Sequence, residues 1–407
     1  MGKRDRLGGL PARALNIGLI VYGSLDNLSG GYLYDRKLVE YLGRQGDRVE
    51  IIAQPWRSYA GRLAENFSSN TLRQVETLQP DILLQDELNH PSLSWLNRRL
   101  QARWMGEQKP LTVAIVHHLR ISEQRPAWQN RLYAIPERSY LNSVDGFIFN
   151  SQTTAASVKQ SGLLRLRSER LTGSTGSLSA VEGSLAQRVI PNVIAYPAGD
   201  RFQPEIDEAE ISARAHLPGP LRLVFLGNLI ERKGLHTLLE ALASLPGETA
   251  ELEVIGSPAP APAHARRIRA RASRPDLAGR VCFTGALDNA ALASRLRRAQ
   301  LLVVPSSYEG YGIAYLEGMS FGLPAIAGNL GAAWEIINPG ENGFLVAPGA
   351  SAGLAEHISS LGADRARLES MSLAARKRFL AQPSWDQTSQ VIREFLLELL
   401  AARRLPA

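Results

Sequence analysis

Residues 301–317, which read LLVVPSSYEGYGIAYLE, decide the fold. They begin with a short apolar and β-branched run, Leu301 to Val304, that is typical of a buried strand, and a proline ends that run. The pattern from Ile313 to Ser320 predicts a helix. Gly310 and Gly312 therefore lie where a helix begins, and the unpaired N–H groups of its first turn attract phosphate. This stretch predicts a strand, a glycine turn and a helix start that can bind an anion.

Two glutamates, Glu309 and Glu317, flank this turn with seven residues between them. A carboxylate beside a phosphate site is electrostatically unfavourable unless it accepts hydrogen bonds from hydroxyl groups, which sugars and ribose offer in pairs. The pair therefore indicates a ligand that carries both phosphate and polyol. The alternative is local: Glu309 is a favourable charge at a helix start, and Glu317 lies on a solvated helix face.

A second unit of the same kind precedes this stretch. Residues 223–234, LVFLGNLIERKG, read as a buried strand, a polar turn that holds Gly227 and Asn228, and the basic pair Arg232 and Lys233. A helix from Leu235 to Leu245 is predicted to follow. The basic pair can bind phosphate, or it can be two solvated cations before a helix.

Two further strands, residues 251–256 and 281–287, also end near glycine, and the second unit ends at Leu287. Strands that alternate with helices predict right-handed βαβ units and a parallel sheet, which binds ligands at the carboxyl ends of its strands. The glycines named so far fall at such ends. The C-terminal half is therefore predicted to be a doubly wound ligand-binding domain.

The N-terminal half repeats the pattern more weakly. Leu15 to Val21 is a strand candidate, and Gly30 and Gly31 precede a helix predicted from Leu33 to Gly43. A glycine pair at a helix start can approach phosphate, although such a turn is as often structural. Another strand, TVAIVHH, ends in His117 and His118. No cysteine or carboxylate at a recognisable ligand spacing lies nearby, so no metal site is predicted.

These motifs occur in the order found in the retaining glycosyltransferases of family 4, which the chain resembles along both halves. The resemblance implies an α/β fold of the GT-B class, with two Rossmann-like doubly wound parallel-sheet domains facing a central cleft. It implies that Glu309 holds hydroxyl groups of the donor sugar and that Glu317 holds the ribose. It also implies that Lys233 neutralises the donor pyrophosphate and that His117 lies against the donor sugar.

The chain departs from that family at one position of the phosphate site. The family has an arginine directly after the first glycine of the turn, where this chain has Asn228, and Arg232 is the candidate replacement. The resemblance implies the catalytic residues Glu309, His117, Lys233 and Arg232. It implies contacts to the donor from Gly30, Gly31, Gly227, Asn228, Leu287, Gly310, Tyr311, Gly312, Ile313, Ala314 and Glu317.

At 407 residues the chain is long enough for two domains. The resemblance implies an N-terminal acceptor-binding domain at 1–196, a donor-binding domain at 197–385 and a C-terminal helix at 386–407 that packs back on the first domain. Residues 189–202 are interpreted as the linker. The Gly- and Ser-rich residues 173–183 are interpreted as a mobile loop.

Cysteine usage and hydropathy bear on the location of the protein. The single cysteine, Cys282, is predicted to lie on a buried strand, which favours a reducing compartment without disulfides. No apolar run reaches the roughly 20 residues of a membrane span. A cytoplasmic protein is therefore expected, with peripheral contact at the inner face of the membrane as a further interpretation.

The positive charge is concentrated in residues 1–200, which hold 24 Lys and Arg against 18 Asp and Glu. Leu93, Leu96, Leu100 and Trp104 fall on one face of a predicted helix that also carries arginines. Such a helix can lie on anionic lipid, or it can pack on a sheet with its arginines solvated. No nucleic-acid motif accompanies the charge.

The resemblance thus implies a retaining hexosyltransferase of polysaccharide or glycolipid biosynthesis. It would move a sugar from a UDP- or GDP-linked donor to a hydroxyl of a glycan, a lipid-linked molecule or a small molecule, without a cofactor or metal. Two alternatives stay open. One is a nonhydrolysing sugar-nucleotide epimerase of similar architecture, and the other is an inactive protein that binds nucleotide sugars.

Overall fold

The computed structural model describes residues 13–26, 29–104, 109–123, 125–160, 165–167 and 189–404. The chain divides into two compact units: unit 1 is Met1–Tyr196 with Asp386–Ala407, and unit 2 is Pro197–Trp385. The C-terminal segment therefore belongs to unit 1. The predicted mobile loop at 173–183 lies outside the described residues.

Unit 1 is built on a parallel sheet of seven strands. They are β1 (Asn16–Tyr22), β2 (Arg48–Gln54), β3 (Ile82–Asp86), β4 (Leu111–Val116), β5 (Gly146–Phe149), β6 (Arg165–Arg167) and β7 (Val189–Ile194), in the spatial order β2-β1-β3-β4-β5-β7-β6. The inner strands are almost wholly buried because parallel sheets are covered on both faces. Residues 189–194 had been interpreted as part of the linker, and that interpretation was wrong: they form β7, which pairs with β5 and β6.

The helices of unit 1 follow the strands. They are α1 (Gly30–Arg44), α2 (Tyr59–Ala64), α3 (Ser69–Leu78), α4 (His90–Leu93), α5 (Leu96–Arg103), α6 (Ala127–Leu141) and α7 (Gln152–Gln160). Helix α1 begins three residues before the predicted start because the side chain of Ser29 caps it, accepting a hydrogen bond from the Tyr32 N–H.

The amphipathic stretch at residues 93–104 packs inward. Leu93, Leu96 and Leu100 are at most 4% exposed and belong to the core of unit 1, and Trp104 packs against the same core. The guanidinium of Arg99 donates to the Asn66 carbonyl at 2.8 Å. Packing on the core is thus the alternative that the structure shows for the leucine face of this stretch, so that face is not available to a membrane.

Unit 2 has a parallel sheet of six strands. They are β8 (Leu221–Leu226), β9 (Ala250–Ile255), β10 (Val281–Gly285), β11 (Leu301–Val304), β12 (Ala325–Gly328) and β13 (Gly343–Val346), in the order β10-β9-β8-β11-β12-β13. The sheet grows from β8 to one side and then continues from β11 on the other. The topological switch point, where open α/β sheets bind ligands, therefore lies between β8 and β11.

The helices of unit 2 alternate with its strands. They are α8 (Glu208–Ala215), α9 (Leu235–Ala243), α10 (Pro262–Ala272), α11 (Asn289–Arg298), α12 (Ile313–Ser320), α13 (Ser351–Ala363) and α14 (Arg365–Leu380). The last helix of the chain, α15 (Trp385–Arg404), lies almost entirely in unit 1. None of the described helices combines the length and apolarity that crossing a bilayer requires.

Cys282 is exposed, although its strand was predicted to be buried. The residue does lie on a strand, β10, but β10 is the edge of the unit 2 sheet. An edge strand is covered by a neighbour on one side only. The prediction of a buried cysteine was therefore wrong because it assumed an inner strand.

Candidate functional site

Glu309 is fixed by backbone hydrogen bonds at the carboxyl end of β11. Its N–H donates to the Leu330 carbonyl at 3.2 Å, and its own carbonyl accepts from the Ala332 N–H at 2.8 Å. A Cβ atom on Gly331 would lie 2.0 Å from the Glu309 oxygen, so glycine is required there. The segment 330–332 therefore holds Glu309 in one backbone position.

Gly312 caps the N-terminus of α12 with a left-handed backbone, at φ 110°. A Cβ atom there would lie 2.3 Å from the Tyr315 ring, and the Tyr315 hydroxyl donates to the Val304 carbonyl at 2.9 Å. The turn is thus packed tightly between β11 and α12. Ile313 and Ala314 occupy the first helical turn, where N–H groups have no helical carbonyl partner.

Lys233 and Glu309 form an ion pair at the switch point. The Lys233 Nζ atom lies 2.8 Å from Oε1 and 3.0 Å from Oε2 of Glu309. Arg232 adds a second cation, with its Nη1 atom 3.5 Å from Glu309 Oε2 and donating to the Tyr308 carbonyl. The structure therefore brings together three predicted residues, and two cations face one carboxylate.

The ionisation of this cluster follows from its burial and its charges. Burial alone would raise the pKa of Glu309, but Lys233 and Arg232 hold that pKa at about 2. Burial lowers the pKa of Lys233, and the charge of Glu309 opposes that shift. Glu309 is therefore a carboxylate at neutral pH. With both cations charged, the cluster keeps an excess positive charge that an anion can neutralise.

The turn after β8 lies beside this cluster. Gly227 has a φ of 154°, and a Cβ atom on it would lie 3.5 Å from Lys233 Cε. Asn228 follows and is half-buried, and Leu287 is half-buried two residues after β10 ends. The structure thus brings Gly227 to the Lys233 side chain, while Leu287 stays on the loop after the edge strand.

Glu317 lies in the second turn of α12 and is 5% exposed. The suggestion that it occupies a solvated helix face was wrong. Its Oε1 atom lies 3.2 Å from Arg201 Nη1, and Arg201 Nε donates to Asn289 Oδ1 at 3.0 Å. Burial raises the pKa of Glu317, while Arg201 opposes the rise. Arg201 was not predicted as a site residue, since no local pattern links it to α12.

In unit 1, Gly31 lies against His117. Gly30 and Gly31 form the first turn of α1, and a Cβ atom on Gly31 would lie 3.2 Å from His117 Cδ2. His117 directly follows β4, and its carbonyl accepts from Asn150 Nδ2 at 2.8 Å. The glycine pair and the histidine therefore meet within one unit.

Two buried carboxylates, Asp35 and Asp86, surround His117. Asp35 Oδ1 lies 3.5 Å from His117 Nε2, and Asp86 offers a ligand atom within 4.8 Å of both residues. Burial would lower the pKa of His117, but Asp35 and the other nearby carboxylates raise it to about 8. No carboxylate at a recognisable ligand spacing marks this histidine in the sequence, because Asp35 and Asp86 come from other segments.

A second buried group contains Glu87, His90 and Glu137. The Glu137 oxygens accept from the backbone N–H groups of Arg120, at 2.6 Å, and Ile121, at 3.3 Å. Helix α6 therefore anchors the loop that follows His118. Each of the two groups offers one imidazole and two carboxylates, a donor set that divalent cations accept. Neither group was predicted from spacing.

Comparison with known proteins agrees with this geometry. Residues 207–378 match the family model described as glycosyl transferases group 1, and they lie wholly within unit 2. A glycogen synthase of Mycobacterium tuberculosis is 31% identical over 201 residues, which cover 48% of this chain and 47% of that protein. The same organism has a GDP-mannose-dependent alpha-(1-6)-phosphatidylinositol monomannoside mannosyltransferase that is 31% identical over 214 residues, with 50% and 54% coverage.

The chain thus spans about half the length of these curated relatives. Solved structures match over more of it. Sucrose-phosphate synthase from Thermosynechococcus elongatus has a TM-score of 0.73 at 22% identity, covering 95% of this chain and 99% of that one. Anabaena HepE in complex with UDP and glucose has a TM-score of 0.66 at 18% identity, with 93% and 98% coverage. The two units therefore have the GT-B fold, and unit 2 carries the similarity to group 1 glycosyltransferases.

Proposed function

We propose that this protein is a retaining glycosyltransferase that moves a sugar from a nucleoside diphosphate to an acceptor hydroxyl. The observation that carries the proposal is the Lys233–Glu309 pair at the switch point between β8 and β11. It combines phosphate-binding and hydroxyl-binding groups in one buried cluster, inside the region that matches the family model.

The donor pyrophosphate binds to Lys233, to Arg232 and to the first-turn amides of α12. When the bond from sugar to pyrophosphate breaks, negative charge grows on the leaving oxygen, and these preorganised cations and dipoles stabilise it. Glu309, once its lysine binds phosphate, accepts hydrogen bonds from the donor sugar. Glu317 accepts from the ribose through the oxygen that Arg201 leaves available.

Arg232 takes the place of the family arginine that is missing at Asn228. The protein cations serve the role that a divalent metal has in other sugar transferases, so transfer needs no metal. The family resemblance implies that the donor is also contacted by Gly30, Gly31 and His117. The donor is UDP- or GDP-linked, and the acceptor is a glycan, a lipid-linked molecule or a small molecule.

The test begins with thermal-shift screening against UDP-, GDP- and ADP-sugars. A ligand present at a hundred times its dissociation constant stabilises the folded protein by about 2.7 kcal/mol. The donor found in this way is then supplied with candidate acceptors. Appearance of the product with the same anomeric configuration as the donor supports the proposal. Conversion of the donor alone to another sugar nucleotide would instead indicate an epimerase.

Lys233→Met is the variant that tests the site. It should lower turnover by about 10²- to 10³-fold, as loss of one preorganised charge-stabilising donor does. Lys377→Met, on the exposed side of α14, is the matched control and should leave turnover unchanged. Equal activity of Lys233→Met and the control would overturn the proposed role of the cluster.

A further inference from the structure

Helix α6 presents an exposed apolar face at the surface of unit 1. Trp128, Leu132 and Ile135 recur at spacings of four and three residues, which places them on one side of the helix. They are 62%, 59% and 68% exposed. The opposite side of α6 packs inward through Tyr140 and Leu141, which are fully buried. The helix therefore carries apolar side chains on two sides, one buried and one exposed.

A second exposed aromatic pair lies beside α6. The rings of Phe67 and Trp95 have centroids 6.1 Å apart, and both side chains are more than half exposed. The Ser139 hydroxyl, one helical turn beyond Ile135, donates to the Ser94 carbonyl at 3.4 Å. This contact places Trp95 next to α6. We call Phe67, Trp95, Trp128, Leu132 and Ile135 the aromatic surface.

Exposed arginines accompany the aromatic surface. Arg131 and Arg138 lie on the outer side of α6, and Arg98 lies on the outer side of α5. Among the described residues, none of these three arginines forms an ion pair with a carboxylate. The carboxylate next to Arg138 in the sequence, Glu137, is fully buried. The surface is therefore apolar and positively charged together.

We propose that the aromatic surface binds the headgroup region of an anionic lipid bilayer. Contiguous apolar patches on a soluble unit mark interaction sites. Tryptophan is enriched at the membrane interface, and a helix with an apolar face flanked by arginine binds anionic lipid. A glycan would stack on the aromatic rings, but its hydroxyl groups would gain little from contact with the exposed aliphatic side chains of Leu132 and Ile135. The charge and the aliphatic residues together fit lipid.

The proposal is independent of the sugar-transfer reaction and is tested on the full chain by vesicle sedimentation. One set of vesicles contains phosphatidylcholine alone, and the other contains about one-third phosphatidylglycerol. We expect binding to the anionic vesicles to be at least about tenfold tighter, since each arginine near an anionic surface adds to the attraction. Added salt should weaken that binding because the charge attraction is screened.

Two pairs of substitutions separate the apolar and charged contributions. Trp128→Ser with Leu132→Ser should weaken binding to anionic vesicles by about tenfold or more, because buried apolar area contributes to interfacial binding. Arg131→Gln with Arg138→Gln should abolish the preference for phosphatidylglycerol. The control is Leu380→Ser, which removes a side chain that is 66% exposed on α14 of unit 2. It should bind like the unchanged protein. Unchanged melting temperatures establish that the variants are folded.

Three results would overturn the proposal. The protein could fail to sediment with anionic vesicles, or the two α6 pairs could sediment as the control does. In the third, sedimentation velocity shows a dimer that Trp128→Ser with Leu132→Ser dissociates, which would assign the surface to a second copy of the chain.

Discussion

The ammonium group of Lys233 contacts both carboxylate oxygens of Glu309, at 2.8 and 3.0 Å, although the two residues lie 76 positions apart in the chain. The contact exists because β8 and β11 are neighbours in the sheet and both end at the switch point. The cation proposed to bind phosphate and the carboxylate proposed to bind sugar hydroxyls are therefore paired with each other. Two predictions concern the carboxylates of this region.

Glu309→Gln should lower turnover of the intact sugar nucleotide by about 10²-fold without weakening the binding of free nucleoside diphosphate. The carboxylate contacts the sugar as positive charge develops on it, so its loss affects the transition state more than the bound nucleotide. Calorimetry and initial rates measure the two effects. Glu341→Gln, on an exposed turn, is the control. If Glu309→Gln instead lost affinity for nucleoside diphosphate, Glu309 would have the nucleotide-binding role that is assigned to Glu317.

Glu317→Ala should weaken binding of the free nucleoside diphosphate by about 1.5–3 kcal/mol, the usual contribution of hydrogen bonds to a charged group. Calorimetry measures this change directly. Glu248→Ala, which removes an exposed carboxylate of unit 2, should leave the affinity as it was. An unchanged affinity in Glu317→Ala would mean that its carboxylate serves only to hold Arg201.

Sugar transfer should survive excess chelator, because Lys233 and Arg232 supply the positive charge at the leaving group. The protein is first dialysed against EDTA, and the rates of sugar transfer are then compared with and without EDTA in the assay. If EDTA abolished transfer and manganese restored it, the proposed metal independence would be wrong. The group of Asp35, Asp86 and His117 would then be the first place to look for the ion, and Asp86→Asn would test it.

Asp35→Asn should lower the pKa of His117 from about 8 towards or below its ordinary value of about 6.5. The folded pKa is raised, so the stabilisation by this pair is fully present below pH 6.5 and is lost as the pH rises through 8. Proton NMR of the imidazole gives the pKa, and denaturation at pH 6 and 9 gives the stability. Asp35→Glu should restore most of the shift. A pKa that does not respond to Asp35→Asn would exclude Asp35 as the main partner.

The GT-B fold was predicted from the sequence and is confirmed. The segment from β11 to α12 shows why. Its strand, Leu301–Val304, and its helix, Ile313–Ser320, have the predicted bounds because proline and glycine separate two strong apolar patterns. Contacts between segments that are distant in the chain could not be predicted from the sequence. Asp35, Asp86 and His117 lie on three separate segments, and Arg201 reaches Glu317 from outside α12, so no spacing could reveal either contact.

The burial of a strand residue could be predicted from the sequence only where it did not depend on the strand's position in the sheet. Cys282 lies on a strand, as expected, but the apolar pattern of that strand does not indicate that β10 is the edge strand of the sheet. The functional roles of Glu309, Glu317, Lys233 and His117 stay predictions. Their positions in the structure decide which experiments can test them.

The Lys233–Glu309 pair has a consequence for selectivity. The Glu309 carboxylate is a counterion built into the site, so a phosphate that binds Lys233 must compete with it. A plain phosphate or pyrophosphate ion leaves that displaced carboxylate buried without a partner, whereas a sugar nucleotide supplies hydroxyl groups for it. The pair should therefore reject simple anions, and inorganic pyrophosphate should inhibit Glu309→Gln more strongly than the unchanged protein.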